Sequence, residues 1–418
     1  MTDPVPHPRR QAAIAFILVT AVLDVMALGI VIPVLPQLIQ EFTGSNARAG
    51  LINGLFVAGW AVMQFLFSPL IGSLSDRFGR RPIILVSSAG LAADYVLVAL
   101  APNLWWLAAA RIIGGITTAS FSTASAYLAD VTPPERRAKA YGLIGAAWSA
   151  GFVAGPLLGG LLGEYSARAP FWAAAALSAV AFVYGLFVLP ESLSPDKRMA
   201  FSWKRANPLG SLRLLRSHPE LSGLASVNFL LWFSHHVFTA VFVLYAAYRY
   251  GWGPGEVGAL LAFVGVLDMI VQGLITGRAV KIWGDSRVMV IGLVGGAVGL
   301  AGMGAAPTGA WFIAAMLPNA LWGLSMPTLQ SLMTRRVSES EQGQLQGANS
   351  SVQSIAGIMS PLFFGWVYSV SIDGSYARAA SGTAFYIAAA VLLLSALIGW
   401  RVASGAALLR NAAPATSS

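Results

Sequence analysis

Long apolar runs set the terms for this chain. Twelve stretches near the length of about 20 residues that crosses a bilayer as a helix follow one another through its 418 residues. They fall at about 11–36, 51–71, 83–101, 104–128, 141–162, 171–189, 221–247, 257–280, 288–306, 311–333, 345–370 and 383–400. Only 10% of the residues are charged and 56% are hydrophobic, whereas soluble domains carry roughly 25% charged residues. So little charge cannot coat a water-soluble surface of this size. Backbone polar groups in lipid must be satisfied within each segment, so the expected fold class is an all-α membrane protein. The apolar residues come in runs and not in alternation, which argues against a β-barrel.

The 26 Lys and Arg residues give the orientation. Assigned to alternating sides, 21 of them gather on one face, among them Arg77, Arg80, Arg81, Arg335 and Arg336. Four, Arg48, Arg168, Arg249 and Arg378, take the other, and Arg111 stays within a span. By the positive-inside rule both termini are expected in the cytoplasm. The same distribution accounts for the net charge of +9 without nucleic acid, because basic flanks anchor a protein to anionic lipid. The first run is too long for the apolar part of a signal peptide, and Arg9-Arg10 reads as its cytoplasmic flank. With no cysteine in the chain, disulfides, thiolate metal sites and cysteine nucleophiles are excluded.

Asp24, Asp94, Arg111 and Asp268 interrupt these apolar runs. A charge at mid-bilayer costs about 2.5–3.5 kcal/mol on insertion scales, so it persists where it pairs, meets water or handles ions. Three carboxylates in three spans point to a transporter coupled to an ion gradient. Arg111 has a second reading as half of a static ion pair with Asp24 or Asp94. Gln64, Gln272 and Gln330 are candidates for substrate contact or for bridging helices. His235 and His236 in the seventh span titrate near neutrality in principle, yet a histidine in a bundle more often just hydrogen-bonds there.

The one long hydrophilic stretch, Pro190 to Glu220, divides the chain into halves of six spans each, 1–189 and 221–418, joined by a 190–220 linker. Residues Leu209 to Arg216 within it read either as an amphipathic interfacial segment or as a solvated tether. The halves echo each other at an offset of 205: Gly72, Gly79, Gly142, Pro156 and Gly160 match Gly277, Gly284, Gly347, Pro361 and Gly365. Five matches at one offset indicate duplication, and duplicated transporters keep their substrate sites near the bilayer midplane.

Three motifs carry a resemblance. The loop after the second span reads Gly72-Ser-Leu-Ser-Asp76-Arg77-Phe-Gly79-Arg80-Arg81. The fifth span holds Gly151, Gly155, Pro156, Gly159 and Gly160, small residues spaced to admit a neighbouring helix. Arg111 precedes Gly114-Gly115 in the fourth. Together they resemble the major facilitator superfamily, and the fifth-span motif resembles that of its drug-exporting antiporters. The first span around Asp24, with Met63-Gln64-Phe65, Asp94-Tyr95, Ala169-Pro170-Phe171, Pro190-Glu191-Ser192 and Gln342-Gly-Gln-Leu-Gln-Gly347, is most similar to the tetracycline-resistance efflux proteins.

The resemblance implies twelve helices in two pseudo-symmetric six-helix halves, and proton-coupled efflux of tetracycline or a related amphiphile from the cell membrane. It implies a gating role for Asp76, Arg77, Arg80 and Arg81 and a link to proton handling for Arg111, while the place of Asp24, Asp94, Asp268, Gln64 and Gln272 within the spans makes them the candidates for proton coupling or substrate contact. The expected partners are protons, a small-molecule cargo and the bilayer, with the chain acting as a monomer. No cofactor or resident metal is expected, although a cargo that arrives as a metal chelate is compatible with the resemblance. The sequence departs from these antiporters twice. Asp268 stands where they carry an eighth-span histidine, and Gly292 to Gly296 replace a ninth-span acid. Two other readings are a proton-coupled symporter importing a nutrient, which the complete fifth-span glycine motif disfavours, and a non-transport scaffold. An enzyme is not expected, because no nucleophile–base or metal-ligand constellation stands out.

Overall fold

A computed structural model describes residues 7–118, 121–199, 201, 212, 214–215, 219–338, 341–373 and 380–412. Among them all regular structure is helical. The first half comprises α1 (His7–Val31), α2 (Leu35–Thr43), α3 (Asn46–Phe78), α4 (Arg80–Leu100), α5 (Leu104–Thr117), α6 (Phe121–Val131), α7 (Pro134–Tyr165) and α8 (Ala169–Val188). The second comprises α9 (Pro219–His235), α10 (Val243–Tyr250), α11 (Pro254–Ile270), α12 (Thr276–Ala305), α13 (Gly309–Ala320), α14 (Ser325–Thr334), α15 (Gln342–Ser371) and α16 (Thr383–Ala412). Of the expected interfacial segment Leu209 to Arg216, only Leu212, Leu214 and Leu215 are described.

Among the described residues, ten helices are long and apolar enough to cross a membrane. One of them, Pro254–Ala305, runs 52 residues and holds two spans, which part at Gly284. The shorter apolar α5, with α6 next in the chain, supplies the remaining crossing, so the described residues accommodate twelve. Several spans are broken where the sequence suggested continuity. Pro33 lies between α1 and α2, and Pro36 occupies the first turn of α2, where its missing N–H would have no partner within that helix. Short π-helical turns at Phe238–Phe242 and Val271–Ile275 and a tight turn at Leu321–Leu324 interrupt three spans of the second half. Such irregular turns concentrate at functional positions.

By packing, the chain divides into two units, Met1–Pro208 with Ala246–Gly265, and Leu209–Tyr245 with Val266–Ser418. In the first unit α1 lies along α7, and Ile17, Ile84, Tyr127, Leu128, Val131 and Leu189 form a buried apolar cluster. Residues 246–265 join this unit because glycines let backbones touch: a methyl on Gly160 would stand 2.6 Å from the Pro254 carbonyl oxygen and 3.1 Å from the Gly258 Cα. In the second unit Val271, Ala279, Val288 and Leu324 form a smaller cluster.

The duplication is written into the backbone. Gly79 (φ 106°, ψ 160°) and Gly284 (φ 77°, ψ 159°) occupy the same glycine-favouring region. Ala101 and Ala306, which close the third and ninth spans, are nearly superposable at φ −56°, ψ 121° and φ −60°, ψ 117°. Two residues on, Asn103 and Thr308 both precede a helix in extended conformation. Asn103 caps α5, accepting from the Trp105 and Trp106 amides at 3.1 and 3.2 Å.

Positive φ with ψ near 160° costs a residue with Cβ on the order of 1–3 kcal/mol. A methyl on Gly284 would meet nothing within 4 Å among the described residues, whereas at Gly79 that space is taken by the Glu191 carboxylate. Gly284→Ala is therefore expected to lower the melting temperature of the purified protein by the backbone cost alone, and Gly79→Ala by clearly more. Equal losses would show that Glu191 does not occupy that space.

Candidate functional site

The loop between α3 and α4 is a charge cluster tied to the end of the sixth span. Arg80 pairs with Asp76 at 2.6 Å and with Asp130 at 3.2 Å, and donates to the Ser75 hydroxyl at 2.8 Å. Glu191 seals this arrangement. Its carboxylate accepts the backbone N–H groups of Arg80 and Arg81 at 2.9 and 3.3 Å, and those of Ser192 and Leu193 at 3.0 Å each. A carboxylate at the start of α4 satisfies amides that a helix leaves unpaired and complements the helix dipole. The Arg81 side chain donates to the Leu186 carbonyl at 2.7 Å, and the Arg77 guanidinium lies 5.0 Å from the Phe78 ring centre. Gly79 has its positive φ and its close neighbour. A methyl on Gly72 would meet nothing within 4 Å among the described residues, so close approach does not account for that glycine. Neither Asp130 nor the seat provided by Glu191 was apparent from the sequence. The available signal was an acid at the end of the fourth span on a face otherwise rich in arginine.

The second half repeats the cluster with the signs exchanged. Positions 205 residues beyond Asp76, Arg80 and Asp130 hold Lys281, Asp285 and Arg335. Arg335 pairs with Asp285 at 3.0 Å, so the same two positions make the ion pair with acid and base reversed.

The fifth-span glycines form the seat of the helix that bears Asp24. Gly151, Gly155 and Gly159, one turn apart, face Val22, Met26 and Ile30 of α1. A methyl on Gly155 would stand 2.6 Å from the Met26 carbonyl oxygen. Pro156 packs against Gly29. In the second half larger residues fill the equivalent stripe: Ser360 donates to the Phe233 carbonyl, and the Phe364 and Phe233 ring centres lie 5.5 Å apart.

Asp94 and Arg111 form a sealed ion pair at 2.6 Å, with side chains 1% and 10% exposed. Of the two pairings open to Arg111, the structure has Asp94. Gly114 leaves room for the carboxylate, since a methyl there would meet Asp94 Oδ2 at 2.5 Å. Asp24 has no ion pair among the described residues, and its shielded Oδ1 has no hydrogen-bond partner there. Asp94 Oδ1, Arg111 Nε and the hydroxyl of the fully buried Tyr95 share that condition. Gln64, on α3, is half-buried.

In the second unit Asp268 and Gln272 flank Gly323 in the tight turn of the tenth span; a methyl there would stand 3.5 Å from each. The His235 ring lies edge-on to Trp232 and Trp322, with centres 5.2 and 5.6 Å apart, and His236 Nδ1 is 2.7 Å from the Trp232 carbonyl oxygen.

The sequence profile of the Major Facilitator Superfamily matches residues 17–361, and again 224–414. The chain belongs to the major facilitator superfamily. It is 37% identical over 382 residues to the class C tetracycline resistance protein of Escherichia coli, covering 91% of this chain and 95% of that one. It is 36% identical over 362 residues to the class G protein of Vibrio anguillarum, covering 87% and 91%. Among solved structures, a nucleoside transporter superposes with a TM-score of 0.78 at 13% identity, over 93% of this chain and 99% of that one. At that identity the likeness shows the fold alone. This major facilitator protein is thus a multi-pass membrane transporter of small molecules.

Removing one partner of a buried ion pair strands the other charge, at about 3–5 kcal/mol, whereas removing both is far milder. Arg111→Leu is expected to unfold at a markedly lower temperature than Asp94→Leu/Arg111→Leu in the same detergent. A double variant no more stable than the single one would show that the two side chains do not pair.

Proposed function

We propose that this protein is a proton-coupled exporter of tetracycline or a related amphiphilic drug, working by alternating access in the cell membrane with both termini cytoplasmic. The carrying observation is Asp24. It is a membrane-embedded carboxylate without a counter-charge among the described residues, on a helix seated against the glycine stripe of α7. A lone charge in that setting is too costly to leave unmet. It is neutralised by a proton or by a cationic group of the cargo, and competition between the two makes the exchange obligatory. Asp94, held by Arg111, orders and tunes this centre, with Gln64 among the groups that line the cargo path. Asp268, beside Gln272, supplies a second acidic position in the span where related antiporters place a histidine. The relatives named for tetracycline resistance support the cargo class. A cargo that arrives as a metal chelate fits the same scheme as a net cation. The chain works as a monomer with the lipid bilayer and protons as its partners, and no nucleic acid or cofactor takes part.

The loop of Gly72, Asp76, Arg77, Gly79, Arg80 and Arg81 acts in this reading as a latch on the cytoplasmic side, with Glu191 holding its backbone. One proton exchanged for a monocation moves no net charge, so a pH gradient alone drives it, at about 1.4 kcal/mol per unit. A neutral cargo also draws on the voltage, at about 2.3 kcal/mol per charge per 100 mV.

In inverted vesicles energised by a pH gradient, the unaltered protein is expected to accumulate tetracycline. Asp24→Asn is expected to abolish that uptake with membrane insertion unchanged. Full uptake by the variant would remove Asp24 from the coupling step.

A further inference from the structure

Three helices of the second unit share a chain of carboxamides that the export scheme above does not use. Asn228 on α9 donates from Nδ2 to Asn349 Oδ1 on α15 at 3.4 Å. Asn349 donates in turn to Gln330 Oε1 on α14 at 3.1 Å. Asn228 and Asn349 are 3% and 5% exposed. The donors therefore run in one direction and end on Gln330 Nε2, which is shielded and has no partner among the described residues. Static bracing of three helices would be complete without that spare donor. A shielded donor left unmet costs about 1–3 kcal/mol, so the end of the chain calls for an acceptor.

Gln330 also lines a cavity of about 140 Å³, with Asn228 and Gln353 as the other polar walls and Met326, Leu329 and Met333 as the apolar ones. Small-molecule sites pair apolar walls with a few convergent polar groups in this way. Methionine side chains adapt to cargoes of different outline. The cavity is larger than one water, whose share of liquid volume is about 30 Å³. Among the described residues no ionisable side chain lines it, so its occupant is uncharged where it touches the wall. Gln330 lies one helical turn before Thr334, where α14 ends, and Arg335 and Arg336 follow at once. In the export scheme that is the side from which cargo loads.

We propose that this cavity is a cargo subsite on the loading side. It takes an uncharged acceptor group, a carbonyl, enol or carboxamide oxygen that accepts from Gln330 Nε2, and packs the attached apolar ring on Met326, Leu329 and Met333. The subsite rests on the export reading, but it fails separately from it.

The test uses the full-length protein in lipid nanodiscs, with tetracycline as the probe and equilibrium affinity and melting temperature read together. Gln330→Met keeps the bulk of the side chain and removes the donor. It is expected to weaken binding about three- to tenfold, the loss of one neutral hydrogen bond, while the melting temperature holds or rises. Gln353→Met, on the cavity wall and outside the observed amide chain, is expected to weaken binding about two- to fivefold. Unchanged affinity in both variants, with or without a shift in melting, overturns the subsite and leaves only a bracing network or trapped water. Asp24→Asn separates the two proposals, because it is expected to lose vesicle transport and keep the cavity's sensitivity to Gln330→Met. If the unaltered protein neither binds nor transports tetracycline or any other compound in a drug panel, the export reading and this subsite fall together.

Discussion

A carboxylate and a guanidinium 2.6 Å apart, closed off between α4 and α5, set the electrostatic order of the first half. Lipid offers no solvent to either charge, so each is kept by the other. Gly114 must be small for the contact to exist. With Arg111 committed to Asp94, Asp24 has no counter-charge among the described residues. The arginine of the fourth span is already occupied. The contrast between a paired acid and an unpaired one among the described residues follows from that one contact.

Around this centre the protein uses glycine for two different ends. Along α7, glycines at one-turn spacing let α1 approach until backbone meets backbone. That close packing fixes the height and facing of Asp24 more firmly than any polar contact among the described residues. At Gly79 the need is conformational: the chain leaves α3 and enters α4 through a φ of 106°, and Glu191 fills the space where a side chain would stand. Glu191 thereby joins the loop between α3 and α4 to the start of the long linker, because four backbone amides converge on one carboxylate.

Duplication preserved the frame and exchanged the contents. Gly79 and Gly284, Ala101 and Ala306, and Asn103 and Thr308 keep the backbone geometry. The pair Arg80–Asp130 became Asp285–Arg335. Asp94 against Gly114 became Gly299 against Asn319, with large and small residues changing places. An ion pair is indifferent to which helix carries which sign, and a packing contact is indifferent to which helix carries the bulk. Drift of this kind is therefore free within a half, and Asn319, packed against Gly299, donates to the Gly296 carbonyl at 3.3 Å.

The twelve crossings, the duplication and the family were legible in the sequence, because hydropathy, basic asymmetry and glycine spacing are local and repeat. The candidates Asp24, Asp94, Arg111 and Asp268 were legible too, since an ionisable group in an apolar run stands out without any fold. The broken spans were not, because a π-helical or tight turn depends on what packs against it and not on its own residues. Nor was the partner of Arg111, for two acids were in reach of it on paper. Asp130, Glu191 and the Asn228–Asn349–Gln330 chain were hidden for the same reason: their neighbours lie 50 to 121 residues away, apart from the Asn349–Gln330 step. Sequence alone determined that this chain must live in lipid as helices and which charges it brings there, since insertion cost is paid residue by residue. Only the tertiary structure decided which charge meets which, because a hydrogen bond or ion pair exists only within about 3 Å, and folding alone sets that distance.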